Sequence, residues 1–360
     1  MSRVEGAGPV RDEDAFDVSA ALAWLRGHAD VPGGSPEVQQ FVGGASNLTY
    51  LLRLPGRDLI LRRPPTGAKA KSAHDMLREF TIQSRLASAF SYVAPMVAFC
   101  GDESVIGSQF YVMERLEGVI LRRDLPPQMV LSGDETSRLC TRVLDVLVEL
   151  HQVDPAGAGL AEIGRGRGYV GRQVAGWSDR YRRARTDNVG DYEAVMRWLH
   201  ERQPADVATC VIHNDFRLDN VVLEQTPDRP SPLSVRGVLD WEMATLGDPL
   251  MDLGGAMAYW IQADDDEYYS QFRRQPSDLP GMLTRAEVVA YYAERTGLAV
   301  SPEQWTFYEV FGLFRLAVIA QQIYYRYHHR QTRNPAFRYF WLMVGYLDWR
   351  CRRTIRRAGD

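Results

Sequence analysis

A chain of 360 residues, 45% hydrophobic and 24% charged, has the composition of a globular protein and the length for two lobes or domains. Its formal net charge of −4 gives no global pull toward nucleic acid or an anionic membrane, and it has no apolar stretch of the roughly 18 residues a spanning helix needs. The acidic N-terminus lacks a signal-peptide core, and Cys100, Cys140, Cys210 and Cys351 lie too far apart for a metal cluster, so a cytoplasmic protein with reduced thiols is expected.

In chain order, residues 1–14 are polar and read as a mobile terminus. Residues 16–28 carry Val18, Leu22 and Leu25 at helical spacing, and Pro32-Gly33-Gly34-Ser35-Pro36 ends that helix. Residues 38–42 and 48–54 read as strands joined by Gly43-Gly44-Ala45-Ser46-Asn47, and 59–62 as a third strand stopped by Pro64-Pro65. A helix over 73–87 and strands at 93–97 and 110–116 follow. Beyond them strand signals become scarce. Helical patterns cover 136–151, 192–200, 253–262, 285–296, 302–326 and 337–357.

The densest chemistry lies between these helices, in Val-Ile-His-Asn-Asp-Phe-Arg-Leu-Asp-Asn, residues 211–220, and Val-Leu-Asp-Trp-Glu, residues 238–242. Val221-Val222-Leu223 and residues 235–239 are β-branched runs separated by a polar connection, which predicts two antiparallel strands. Asn220 opens the first and Asp240 closes the second. That pairing would set two oxygen-bearing side chains together at one sheet end, a donor set suited to Mg²⁺. The plain alternative is a turn-forming Asp and Asn.

These two runs are similar to the catalytic loop and metal-binding strand end of kinase-type phosphotransferases. With Gly247-Asp248-Pro249-Leu250-Met251-Asp252-Leu253, the chain resembles the aminoglycoside phosphotransferase family, in particular its acyl-CoA-dehydrogenase-associated branch, from about residue 41 to residue 347. The resemblance implies an α+β bilobal protein-kinase-like fold, with a small, mainly antiparallel sheet lobe and a larger helical lobe. It implies an N-terminal extension and helix at 1–36, a nucleotide-binding N-lobe at 37–115, and a C-lobe at 116–360 with catalytic loop, metal site and acceptor pocket. Asp215 is then the group that takes the acceptor's proton, and His213 braces or joins it. Asn220 and Asp240 are Mg²⁺ ligands, and ATP or GTP is the phosphoryl donor.

Gly43, Gly44, Ser46 and Asn47 are expected to cradle phosphates, although an ordinary Gly-containing hairpin would look the same. At the end of the third strand the common kinase pattern has Lys; here Arg62 stands there, with Glu79 as its expected ion-pair partner. Residues 113–118 are the expected hinge, with Glu114 and Leu116 at the nucleotide. Asp252 is expected to fix the catalytic loop, Asp248 to cap a helix, and Glu242 to take either a secondary metal role or a surface role.

The short interval between Asp240 and Asp252 leaves no peptide-docking segment, so the expected partner is a small-molecule hydroxyl acceptor, with no nucleic acid or membrane partner and a homodimer allowed for. Candidate pocket residues are Trp177, Tyr181, Trp260, Arg315, Tyr324 and Arg326, each of which could equally be core. Arg315 and Arg326 suit an anionic, hydroxyacyl-CoA-like metabolite; a basic helix end is the plainer reading. Asp264-Asp265-Asp266-Glu267 would instead attract a cationic aminoglycoside, unless it is simply an acidic loop tip. A nucleotide-binding pseudokinase acting as an interaction module is the alternative of a different class.

Overall fold

Leu, Ile, Val and aromatic residues alternate with polar ones early in the chain, and this period places a continuous apolar layer on an antiparallel sheet. The computed structural model describes residues 4–41, 47–65, 75–224 and 234–359. Its chain divides into two compact units, residues 1–118 with 236–242, and residues 119–235 with 243–360.

The first unit contains β1 (Ala7–Gly8), α1 (Val18–Arg26), β2 (Glu37–Phe41), β3 (Leu48–Leu54), β4 (Arg57–Arg63), α2 (Met76–Leu86), β5 (Met96–Cys100) and β6 (Phe110–Glu114). The strands form one sheet in the order β1-β2-β3-β4-β6-β5, antiparallel throughout. One face packs Leu52, Leu54, Leu59, Leu61 and Phe110 against Leu22 and Leu25 of α1. The other packs Leu51, Ile60 and Tyr111 against Met76 of α2.

Two expectations change here. Residues 4–14 are built into the unit rather than forming a loose terminus: Ala7 pairs with Phe41, and buried Asp14 accepts from Gln40 at 2.8 Å. The strand expected at 93–97 begins at Met96, because Pro95 has no N–H to give a ladder; its carbonyl accepts from the Glu114 N–H at 2.9 Å. Val42, Lys69, Lys71 and the start expected for α2 lie outside the described residues.

The second unit contains β7 (Val119–Ile120), α3 (Gly133–His151), α4 (Tyr169–Ala184), α5 (Glu193–Arg202), β8 (Cys210–Ile212) and β9 (Val221–Leu223). Strand β10 (Val235–Val238) straddles the division of the chain. Then come β11 (Thr245–Gly247), α6 (Pro249–Met257), α7 (Glu267–Ser270), α8 (Arg285–Thr296), α9 (Pro302–His328) and α10 (Phe340–Gly359).

Helix α4 was not expected. Its first N–H groups, on Gly168, Tyr169 and Val170, donate to the Asp206 carboxylate at 2.6–2.9 Å, a cap that no local signal announces. Helix α6 starts a turn earlier than expected, since Asp248 caps Leu250 and Met251 and Pro249 occupies the first turn. The last helix starts at Phe340, after a short 3-10 turn capped by Asn334. The strands β8 and β11 flank the loop chemistry and pair antiparallel, Ile212 with Thr245 and Cys210 with Gly247.

Helix α6 reaches its depth by backbone contact with α9. A Cβ on Gly312 would lie 2.1 Å from the Gly254 carbonyl oxygen, and one on Gly254 would lie 2.6 Å from that of Tyr308. Gly312→Ala must therefore push the helices apart and is expected to cost about 1–3 kcal/mol. Because α6 carries Asp252, kcat should fall as well. A urea midpoint and turnover number equal to wild type would contradict this.

Candidate active site

The loop carrying the catalytic candidates lies in the second unit, between β8 and β9. Asn214 adopts a left-handed backbone, φ 65°, which turns the chain sharply after the strand. Fully buried Asp252 holds that turn: one oxygen accepts the His213 N–H and the other the Asn214 N–H, both at 2.7 Å. His151 Nε2 lies 3.1 Å from Asp252, and His151 Nδ1 is 2.6 Å from the Tyr292 hydroxyl. Burial alone would raise the Asp252 pKa, but the hydrogen bond and charge of His151, then His213, hold it below the ordinary value.

Asn214 is pinned at its other groups too. Arg315 Nη2 donates to its carbonyl at 2.6 Å, Tyr169 donates to its side-chain oxygen at 3.1 Å, and its amide donates to the Met243 carbonyl at 3.0 Å.

The next residues carry the chemistry. His213 Nδ1 accepts the Asp215 N–H at 3.2 Å, so a neutral imidazole carries its proton on Nε2. Asp215 Oδ2 accepts from Asn220 Nδ2 at 3.0 Å and from Arg217 Nη2 at 3.2 Å. Asn220 Nδ2 also donates to the Asp215 carbonyl at 2.8 Å, which leaves the Asn220 side-chain oxygen as the donor atom for a cation. The guanidinium of Arg217 stacks 4.6 Å over Tyr259, and Gln275 accepts the Leu218 N–H at 2.8 Å.

A second cluster of charged candidates lies in the first unit. Arg62, at the end of β4, is paired in the sheet with Thr49 and Tyr111. Its Nη1 lies 2.5 Å from Glu79 Oε1 and its Nη2 3.1 Å from Asp240 Oδ1. Burial works against the charge of Arg62, yet Glu79, Tyr111 and Asp240 raise its pKa well above the ordinary value. Glu79 moves upward because its burial outweighs the attraction of Arg62. Asn47 is buried and donates to Glu242 at 3.2 Å and, at 3.5 Å, to Glu79.

Strand β10 stops at Val238 rather than at Asp240. Asp240 takes a left-handed backbone, φ 67°, a rare conformation for a residue with a side chain. Trp241 anchors the bend: it is fully buried and donates to the Val238 carbonyl at 2.9 Å. Residues 241–243 form a 3-10 turn, so Asp240 and Glu242 do not share a strand face.

The residues present suit a divalent cation and nucleotide phosphates. The Nε of Arg62 is buried without a hydrogen-bond partner among the described residues, an unused cationic donor suited to a phosphate oxygen. The Asp240 side chain is 36% exposed and so open to a ligand. Among the described residues no group of three or more His, Cys, Asp or Glu forms a closed cage. A cation here would draw its remaining ligands from phosphates and water, as Mg²⁺ does.

Other candidates have different places. Gly43, Gly44 and Ser46 lie outside the described residues. Glu114 is committed to Arg57, which donates at 3.0 Å, and Leu116 packs where a Cβ on Gly237 would fall, 2.4 Å from its Cδ1. Trp260 is buried and donates to the Leu283 carbonyl at 2.9 Å. Tyr324 accepts from Asn188 at 2.9 Å, and Tyr181 donates to the Gly190 carbonyl at 2.6 Å; both rings are buried. Arg315 braces the catalytic loop, whereas Arg326 lies exposed near the end of α9.

Sequence reading missed His151, Tyr169 and Arg217 as parts of this site. Arg217 had a signal, being two residues past Asp215 in the same loop. His151 and Tyr169, at the end of α3 and the start of α4, had none.

A model of the phosphotransferase enzyme family matches residues 37–288, most of the chain. Over 325 residues the chain is 35% identical to acyl-CoA dehydrogenase family member 10 of Mus musculus, an alignment covering 90% of this chain and 30% of that protein. The crystal structure of a candidate aminoglycoside phosphotransferase from Ralstonia eutropha JMP134 matches with a TM-score of 0.78 at 29% identity, covering 95% of this chain and 99% of that one. Wild-type aminoglycoside 2′-phosphotransferase-IIIa, solved as its GDP complex, shares the fold at TM-score 0.60 and 14% identity, covering 92% and 98%.

The α+β kinase-like fold and this loop thus define a small-molecule phosphotransferase that acts on an alcohol group. The chain belongs to the phosphotransferase enzyme family, and it spans about 30% of the length of that mouse relative.

Asp252→Asn would set an amide NH₂ against one of the two backbone N–H donors, on His213 and Asn214, that the carboxylate now accepts. Loss of this buried, paired carboxylate is expected to cost about 3–5 kcal/mol of stability and to lower kcat by on the order of 10²-fold. Wild-type turnover in a folded Asp252→Asn enzyme would remove the carboxylate from loop support.

Proposed function

We propose that this protein is an ATP- or GTP-dependent kinase in the cytoplasm that transfers the γ-phosphoryl group to a hydroxyl of an anionic, partly apolar metabolite, with a hydroxyacyl-CoA as the leading acceptor. The observation that carries the phosphotransfer reading is the Asp215 carboxylate, held by Asn220 and Arg217 on a loop anchored to Asp252. The acyl-CoA class rests on the branch resemblance and on the name of the mouse relative, which describes that whole protein.

In this reading Asp215 orients the acceptor hydroxyl and takes its proton as the oxygen bonds to the γ-phosphorus and the nucleoside diphosphate leaves. Arg217 keeps the carboxylate aimed through its contact at Oδ2. His213 holds the loop through its Nδ1 and does not touch the acceptor. Asn220 and Asp240 are the proposed ligands of Mg²⁺, which when bound neutralises phosphate charge. Arg62 holds phosphate oxygens through its free Nε–H, with Glu79 fixing its planar fork in the role of the lysine–glutamate pair of kinases. The intact Arg62–Glu79 pair disfavours a pseudokinase.

An aminoglycoside acceptor has less support. The acidic run that suggested it is already engaged. Asp265 is held by Arg285 at 2.5 Å and Arg350 at 3.2 Å, and Asp266 caps Tyr269.

Asp215→Ala is expected to lower transfer about 10²–10⁴-fold while calorimetric affinity for Mg·ATP or Mg·GTP stays near wild type. Asp240→Ala is expected to abolish Mg²⁺-dependent nucleotide binding. Near wild-type transfer by the first variant, or unchanged Mg²⁺-dependent affinity in the second, would defeat the role assigned to that residue.

A further inference from the structure

The second unit carries a basic groove of about 620 Å³ lined by Arg180 and Arg183 of α4 and by Arg326, Tyr325 and Gln322 of α9. No carboxylate lines it, and none of its three arginines makes an ion pair among the described residues. Elsewhere on α4 the cations are used: Arg182 pairs with Glu193 at 2.9 Å, and Arg172 caps backbone carbonyls. A helix C-terminus favours Arg183 on its own helix. It does not account for Arg326, which comes from another helix, or for Arg180, whose pKa is lowered by burial and by the facing charges of Arg183 and Arg315. Uncompensated cations gathered in a groove suit an anion, and guanidinium forks suit phosphate.

The groove is tied to the catalytic loop by rigid parts. Helices α4 and α9 are joined by Gln321, which donates to the Ala184 carbonyl at 2.8 Å, and by the Tyr181 and Phe314 rings, 6.2 Å apart. Trp177 lies between Arg180, 4.6 Å from its ring, and Arg315, 5.3 Å from it. Arg315 in turn holds Asn214, next to Asp215. Arg315 and Arg326 are eleven residues apart on one helix, so they share a face and stand about 16 Å apart along its axis.

We propose that Arg180, Arg183 and Arg326 form a subsite for a phosphate-bearing end of the acceptor, with Arg326 about 16 Å along α9 from Arg315, the residue that braces the loop of Asp215. This deepens the acceptor reading above and rests on it for the identity of the hydroxyl-bearing end. It restricts acceptors to long anions, with a reactive hydroxyl at one end and a phosphate ester at the other, as in a coenzyme A thioester. Compact phosphates would reach the groove or Asp215, but not both.

The test is calorimetry with desulfo-coenzyme A as probe, on the full chain with its nucleotide site saturated by Mg·AMP-PNP, for wild type and the Arg183→Gln/Arg326→Gln variant. These exposed side chains make no ion pairs, so an unchanged melting temperature is expected. Affinity should fall at least tenfold in the variant, and inorganic pyrophosphate should bind wild type more weakly than the probe. No binding to wild type, equal binding to the variant, or pyrophosphate binding as tightly as the probe would each overturn the subsite. Transfer to a hydroxyacyl-CoA is assayed separately, with the matching hydroxyacyl-pantetheine as control. The variant should raise KM for the CoA ester alone. If wild type binds the probe through these arginines but phosphorylates neither ester, the hydroxyacyl reading fails and the subsite stands.

Discussion

The loop chemistry of this enzyme depends on one buried carboxylate. Fully buried, Asp252 receives two backbone N–H groups from consecutive residues as well as a histidine. Left unpaired, such a group would cost several kcal/mol; fully satisfied, it fixes its partners. The two amides it fixes belong to the turn at Asn214, whose left-handed backbone would otherwise relax. Where Asp215 points follows from that turn. The depth of Asp252 itself follows from glycine: α6 approaches α9 so closely at Gly254 and Gly312 that only hydrogen fits between their backbones. A packing constraint between two helices thus sets the position of a carboxylate, the carboxylate sets a loop, and the loop carries Asp215, the proposed base.

In the first unit the constraint is a buried cation, Arg62, which is the residue proposed to meet phosphate. Lysine, a compact ammonium on a flexible stem, suits a single carboxylate partner. Arginine at position 62 has five donors in a fixed plane, and the sheet directs that plane inward. One nitrogen takes Glu79, one takes Asp240, and Nε stays unused. The fork therefore couples Arg62 in a fixed plane both to Glu79 and to the carboxylate proposed for the metal. Asn47 ties the same cluster to Glu242. The left-handed backbone at Asp240, backed by buried Trp241, fits a residue aimed at a ligand rather than one continuing a strand.

Local chemistry was legible where it was local. The order of strands around α2 and the helix 285–296 follow from short-range pattern, whereas the loop from His213 to Asn220 and the Arg62–Glu79 pair were legible through resemblance to the kinase pattern. What escaped was set by residues far away in the chain. Helix α4 begins on a carboxylate about 36 residues downstream, and nothing near Gly168 announces a start. Strands β8 and β11 are three residues each, too short for an alternation to register, and are fixed by pairing with one another. The terminal residues 4–14 look soluble, yet Asp14 is buried because Gln40 and Arg11 satisfy it. The aromatic and basic candidates of the C-terminal helices could not be sorted by sequence at all, because a core Trp and a pocket Trp have the same spacing. Trp260 proves to be held by Leu283 O, and Arg315 by the loop it supports.

Charges in the second unit fall into two kinds, and the difference bears on what the enzyme recognises. The four consecutive acids from Asp264 to Glu267 look like a cation trap in sequence. In the fold Asp265 is nearly buried between two arginines, one of them stacked 4.1 Å over Tyr269, and Asp266 is spent on a helix cap and on the Tyr346 hydroxyl. The charge of Asp265 and Asp266 is met internally, which leaves Asp264 and Glu267 as the acids of this run without an ion pair among the described residues. Arg180, Arg183 and Arg326 are the reverse case, unremarkable in an arginine-rich sequence but gathered by α4 and α9 around a groove that holds no acid. Net charge, −4 for the whole chain, hides this asymmetry. Recognition follows uncompensated charge, because a paired charge has already exchanged its hydration for a partner, whereas an unpaired cation in a groove still gains by meeting an anion. On that ground uncompensated cations, rather than paired acids, are what the proposed anionic acceptor would meet.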